Sequence, residues 1–150
     1  MTKFVTAKAR LEKGLRFEGE ASSGHRLLMD TSIYHEGQNA GFRPIELFLL
    51  SIAGYVGMEV ISILRKEGQQ VTGYEVRMQG IIVEKPENVL EDITVEHIIA
   101  GHTLNHEIIG QAISIVEQRF KAACAILGQV AEVRHMYCTV EAQEPVLTEA

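Results

Sequence analysis

Behind Pro44 the chain carries a long apolar run, Leu47 to Leu64, interrupted by little more than Ser51, Tyr55, Glu59 and Ser62. A run of this length is either a minimal membrane span or the core helix of a globular domain. Glu59 decides between the two readings, because a carboxylate in mid-span is costly in lipid. The flanks read as helix ends. Pro44 suits the first helical position, and Glu46 complements the positive end of the helix dipole. Arg65 and Lys66 suit a C-terminus, and Gly68 stops the helix. The spacing therefore predicts a core helix from Pro44 to Lys66, ~6 turns long.

Around this helix the pattern is that of short strands. Phe4–Ala9, Leu15–Ala21 and His25–Asp30 are extended candidates, parted by Glu12-Lys13-Gly14 and Ser22-Ser23-Gly24. A meander of hairpins joins them most simply, and 31–42 (TSIYHEGQNAGF) is a loop. Downstream, Val71–Val83 alternates Thr72, Tyr74, Val76 and Met78 against Glu75, Arg77 and Gln79. Lys85-Pro86-Glu87-Asn88 is a turn, and Leu90–Ala100 sets Ile93, Val95, His97 and Ile99 on one face. A second helix starts at the cap Asn105 and carries the stripe Ile109, Ile113, Val116, Phe120, Ala123 and Leu127 up to Gly128. Val130–Glu141 closes the pattern as a strand, and Gln143–Ala150 is a tail. The order is βββ-α-ββ-α-β, an α+β chain with an antiparallel sheet and two long helices on one side. Its 150 residues suit a single domain spanning 1–150.

Charge and cysteine content narrow the partners. A net charge of -6 argues against nucleic acid and against an anionic membrane surface. Two cysteines, Cys124 and Cys138, are too few for a disulfide framework and fit a reducing compartment. The opening MTKFVTAKARLEKG has no apolar run, so a cytoplasmic protein is expected. No Gly-rich phosphate loop or GxSxG elbow is present in the sequence, and no cofactor is implied.

The candidate chemistry begins on the first helix. Being apolar nearly all round, it needs cover on all sides, from the rest of the chain or from a second copy. Ser51, Tyr55, Glu59 and Ser62 form one polar seam along it, which either satisfies itself or lines a ligand cavity. His97, His102 and His106 lie close in sequence, but the cap at Asn105 puts His102 outside the helix and no carboxylate motif completes a metal set. They are read as polar surface, with no metal. Cys124 sits in the stripe of the second helix as a small hydrophobe. Lys121, three residues earlier, could lower its pKa and make it reactive.

Four segments together resemble a known family. They are RPIELFLLSIAGYVGMEVISILRKEG (43–68), SGHRLLMD (23–30), VTGYEVRMQG (71–80) and AISIVEQRFKAACAILGQVAEVRH (112–135). In this order they resemble the osmotically inducible protein C / organic hydroperoxide resistance family over nearly the whole chain. That resemblance implies an intertwined homodimer, each long helix buried by the partner, and a thiol peroxidase. Its peroxidatic cysteine follows the A-G pair of the first helix, and its resolving cysteine lies in an E-K-Y-C-like motif of the second. A glutamate after the proline and an arginine of the N-terminal hairpins activate the thiol. Here Tyr55 follows Ala53-Gly54, and Lys121 stands at the resolving position. Glu46 holds the glutamate position, and Arg16 or Arg26 could supply the arginine. A phenol has no ready route to a sulfenic acid. The retained apolar helix, the polar seam and the missing cysteines lead to the expectation of a non-peroxidase homodimer that binds a small apolar molecule at its interface, near Ser51, Tyr55 and Glu59, with a pseudoenzyme dimer acting through protein contacts as the purely structural option. Two alternatives stand beside it: a peroxidase rewired to Cys124, and an acid–base enzyme using Tyr55 and Lys121.

Overall fold

Glycines with positive φ set the turns of the first sheet. Gly14 (φ 59) and Gly24 (φ 82) adopt a backbone that side-chain-bearing residues resist. Strands β1 (Ala7–Lys13), β2 (Arg16–Ala21) and β3 (Arg26–Met29) form the expected meander, in the order β1-β2-β3. Lys13 pairs with Arg16, so Gly14 and Leu15 alone make the first turn. Strand β1 therefore lies later than the expected Phe4–Ala9 and absorbs Glu12 and Lys13, which read as turn residues. The computed structural model describes residues 4–84, 88–123 and 132–142. The chain divides into two compact units, Met1–Phe48 and Leu49–Ala150.

In the first unit the segment after β3 is held by one carboxylate. Buried Asp30 accepts the backbone N–H groups of Thr31 (2.8 Å), Gln38 (3.1 Å) and Ala40 (3.0 Å). These bonds, the one from Ala40 foremost, hold its carboxyl below the usual range against the opposing effect of burial. Within this loop Ile33–His35 forms a single 3-10 turn that the sequence pattern does not announce.

Helix α1 (Pro44–Lys66) has the predicted bounds. Glu46 Oε2 accepts the Arg43 backbone N–H at 2.9 Å, the return arm of a capping box. At the other end Gly68 (φ 71) donates to the Arg65 carbonyl and Gln69 to the Leu64 carbonyl.

The second unit is built on β4 (Gln70–Glu84) and β5 (Asn88–His102), a long antiparallel pair. Helix α2 (His106–Ala123) follows, and β6 (Glu132–Glu141) returns beside β5. The β5–β6 pairing is parallel, in the order β4-β5-β6. This corrects the expected antiparallel sheet, and two three-stranded sheets replace one. The reason is topological: a helix lies between β5 and β6, and such a crossover returns the chain in the same direction. Asn105 caps α2 as expected, its Oδ1 accepting the N–H groups of Glu107 (2.9 Å) and Ile108 (3.2 Å).

The core of this unit lies between the sheet and its helices. Helix α1 contributes Ile52, Val56, Val60 and Leu64; α2 contributes Ile109, Ala112, Ile113, Val116 and Phe120; β5 contributes Ile93, Val95 and Ile99. Ala123, expected in the buried stripe, is exposed. Leu127, the stop at Gly128, the turn at 85–87, the start of the last strand at Val130 and the tail lie outside the described residues. Helix α1 is long and apolar enough to cross a membrane by length and composition alone. Within a single chain it is buried along one stripe, and the second copy named as the other source of cover would have to supply the rest. Leu50 (53% exposed) and Met58 (73%) face outward with Ser51, Tyr55 and Ser62, so the polar seam lies on the open side.

Gly57 sets how closely α1 approaches β4. A Cβ there would lie 3.3 Å from Val76 Cγ2 and 3.6 Å from Tyr74 Cε1. Gly57→Val is expected to cost about 1–3 kcal/mol through overpacking. Urea unfolding should show it as a lower midpoint with unchanged slope.

Candidate functional site

Two helices meet in the second unit through neighbouring pairs. The Tyr55 ring lies 5.7 Å from that of Phe120, tilted by 47°, and Arg119 Nη1 is 2.8 Å from Glu59 Oε2. Arg119 thus faces α1. Residues two positions before and after it lie roughly 200° around the helix, and there Lys121 Nζ meets Glu117 Oε1 at 2.7 Å. The ring that Tyr55 meets on α2 is that of Phe120, the residue before Lys121. The expected Tyr55–Lys121 proximity is thereby reduced to neighbouring positions on α2, with the ammonium turned to Glu117.

Glu46 and the two candidate arginines, Arg16 and Arg26, lie in the first unit. Glu46 is engaged by Arg43, through the backbone N–H and through Nη1 at 3.0 Å. That arginine, one residue before the proline, was not among the expected candidates. Arg16 binds Glu12 at 2.8 Å, while Arg26 bridges Glu18 (3.4 Å) and Glu20 (3.3 Å). An open groove of about 500 Å³ lies along Leu15, Phe17, Met29 and Asp30 in this unit.

Sequence reasoning missed the polar cluster at the centre of the second sheet. His97, read as polar surface, is fully buried in mid-strand. Its Nδ1 is 2.6 Å from the Tyr74 hydroxyl, and its Nε2 is 3.2 Å from His135 Nδ1. The three rings stack across β4, β5 and β6, with centroids 6.0 and 5.5 Å apart. The far nitrogen, His135 Nε2, is buried and has no hydrogen-bond partner among the described residues. Burial, with some repulsion from His135, lowers the His97 pKa to about 4. Burial likewise lowers that of His135, with Glu117 opposing and Lys121 assisting. The Tyr74 phenol is pushed upward by burial. All three groups are therefore neutral at pH 7. The available signal was the alternation of β5, which sets His97 among Ile93, Val95 and Ile99.

Residues 37–140 match the OsmC-like protein family. The chain belongs to that family. It is 28% identical over 138 residues to Protein YhfA of Escherichia coli strain K12, covering 92% of this chain and 100% of that one. An OsmC-like protein from Mycoplasma pneumoniae superposes with a TM-score of 0.77 at 16% identity, over 93% of this chain and 99% of the other. An organic hydroperoxide resistance protein OsmC from Legionella pneumophila gives 0.66 at 16%, over 93% and 99%. At those identities the two structures show the shared OsmC-like fold alone.

Among the described residues no group of three or more His, Cys, Asp or Glu is placed to hold a metal. His102 ends β5 and His106 opens α2, on either side of the cap. Cys138 is a free, exposed thiol on β6, and Cys124 lies outside the described residues.

The buried imidazole makes stability depend on pH. Below about 6.5 the unfolded chain protonates His97 while the folded chain does not, until pH falls to about 4. The lowered pKa therefore favours folding above that window, and the advantage is lost as pH drops through it. The loss should total roughly 3 kcal/mol by pH 4. Denaturation midpoints of wild type and His97→Gln between pH 7 and 4 check this. The variant is expected to start less stable and to show the shallower slope.

Proposed function

We propose that this OsmC-like protein works without the thiol peroxidase chemistry to which its family resemblance points, and that it pairs with a second copy to bind a small apolar molecule. Tyr55 carries the reading. It stands where the resemblance places the attacking thiol, 37% exposed, with its ring against Phe120. A phenol there can pack and donate a hydrogen bond, but it cannot cycle through a sulfenic acid. The resolving position is held by Lys121, whose ammonium is engaged by Glu117. The same ion pair draws Lys121 away from an acid–base partnership with Tyr55.

Support for a second copy comes from the open side of α1. Leu50, Tyr55 and Met58 present apolar surface there, beside the small residues Ser51 and Gly54. An exposed contiguous apolar strip of this kind marks an interaction surface. Two such strips brought together would enclose Tyr55 and Phe120 as the apolar wall of a ligand site, with Glu59 and Ser51 as its polar edge.

Thermal scans with medium-chain fatty acids and small aromatic compounds should raise the melting temperature of wild type and not that of Tyr55→Ala. A match of ~100 times the dissociation constant stabilises by about 2.7 kcal/mol, so absence of any shift across such a panel would defeat the binding reading. Peroxidase assays with tert-butyl and fatty-acid hydroperoxides and a dithiol are expected to show no turnover. Turnover that disappears in Cys124→Ser would instead establish a rewired peroxidase. Met58→Glu should shift sedimentation from dimer to monomer.

A further inference from the structure

The groove of about 500 Å³ is lined wholly by residues of the first unit, none of them among those to which the family resemblance assigns chemistry. Small-molecule sites span roughly 300–1,000 Å³ and combine apolar walls with a few convergent polar groups. The groove has both properties. Leu15 in the β1–β2 turn, Phe17 on β2, Met29 on β3 and Pro44 at the head of α1 supply the walls. Phe17 and Met29 are cross-strand partners, so an aromatic ring and a thioether share one face of the sheet. Such a pair favours a flat aromatic guest, which can stack on the ring and meet the polarizable sulfur.

Thr31 and His35 form the polar side. Both sit on the loop after β3, and that loop is fixed in place. Asp30 binds the N–H groups of Thr31, Gln38 and Ala40, and the Thr31 carbonyl accepts the Asn39 N–H at 3.0 Å. Ser32 Oγ lies 2.8 Å from His35 Nδ1, which orients the imidazole and leaves Nε2 as the atom it offers to a ligand. A preformed wall spares the ligand the cost of ordering it.

Charge selects among aromatic ligands. Asp30 also lines the groove, 3% exposed, and its three backbone hydrogen bonds keep it ionised. Arg16, a cation whose charge Asp30 feels, is itself paired with Glu12. An anionic head would meet the Asp30 charge where water screens it poorly. An ammonium would lose hydration without gaining a carboxylate that is not already engaged. A hydroxyl avoids both penalties, and it can donate to an imidazole or accept from it. We propose that this groove binds a neutral aromatic molecule bearing one hydroxyl, its ring on Phe17 and Met29 and its oxygen on His35.

Methyl spectra of the full-length protein labelled with 13C-methionine test this, because Met29 lines the groove while Met58 lies on the open side of α1. The matched probes are 2-naphthol, naphthalene, 2-naphthoate and 2-naphthylmethylamine. 2-Naphthol should shift the Met29 methyl in a saturable way and bind at least five-fold tighter than each of the others. His35→Ala, at an exposed position, should reduce 2-naphthol to the level of naphthalene and leave naphthalene unchanged. Phe17→Ala should weaken both. Tyr55→Ala should leave the Met29 response intact, which separates this groove from the site on α1. A Met29 signal that no probe moves would overturn the proposal, and a second copy covering the groove would give that result. Equal binding of naphthalene or 2-naphthoate would also overturn it, as would a response confined to Met58. The wild-type spectra decide even if a variant fails to fold.

Discussion

A helix laid on one face of a three-stranded sheet can bury only the stripe that touches the sheet. Everything apolar on its other side stays exposed until something else covers it. Helix α1 meets this constraint directly. Ile52, Val56, Val60 and Leu64 close on the sheet, while Leu50, Tyr55 and Met58 do not. Close approach on the buried side depends on Gly57, where α1 lies against Val76 and Tyr74. The open side carries the residues to which the family resemblance assigns chemistry. One helix thus buries the face that folds against the sheet and leaves the apolar residues of its other face exposed.

Beneath the helices, a polar chain runs through an apolar core. A buried imidazole with empty hydrogen-bonding sites would be destabilising, and His97 is stable at the centre of the sheet because β4 and β6 supply a partner on each side. That arrangement needs the parallel register of β6, which sets His135 opposite Val95, two residues along from His97. Strand order and polar chemistry are coupled here. An antiparallel β6 would present a different set of side chains to His97.

How much of this could be read from the sequence follows from which interactions are local. Helix ends were legible because Pro44, Glu46, Gly68 and Asn105 act through bonds within one turn. The alternation of β4 and β5 was legible for the same reason, and it grouped His97 with Ile93, Val95 and Ile99, although the histidine was read as polar surface. The offset of β1 was not, because Gly14 can form a two-residue turn as readily as a longer one. The direction of β6 was hidden because strand partners are chosen by contacts distant in sequence, although a helix between two strands is itself a hint of parallel pairing. His135 became visible only once that pairing was known. Lys121 read as a neighbour of Tyr55 because alignment with a family gives position along a helix. The flank a side chain takes is decided by its ion pair with Glu117.

Glu46 carries a last consequence. Its carboxylate closes the first turn of α1 on the Arg43 backbone and pairs with the Arg43 guanidinium. A residue employed in starting a helix is under selection for that task whatever happens to the reaction beside it. The P-x-E-L signature can therefore outlive the chemistry with which it is associated, as a record of architecture and not of activity. Descendants of a peroxidase could lose both thiols and change ligand while this signature stayed intact, which makes it a poor witness to what any one member of such a lineage does.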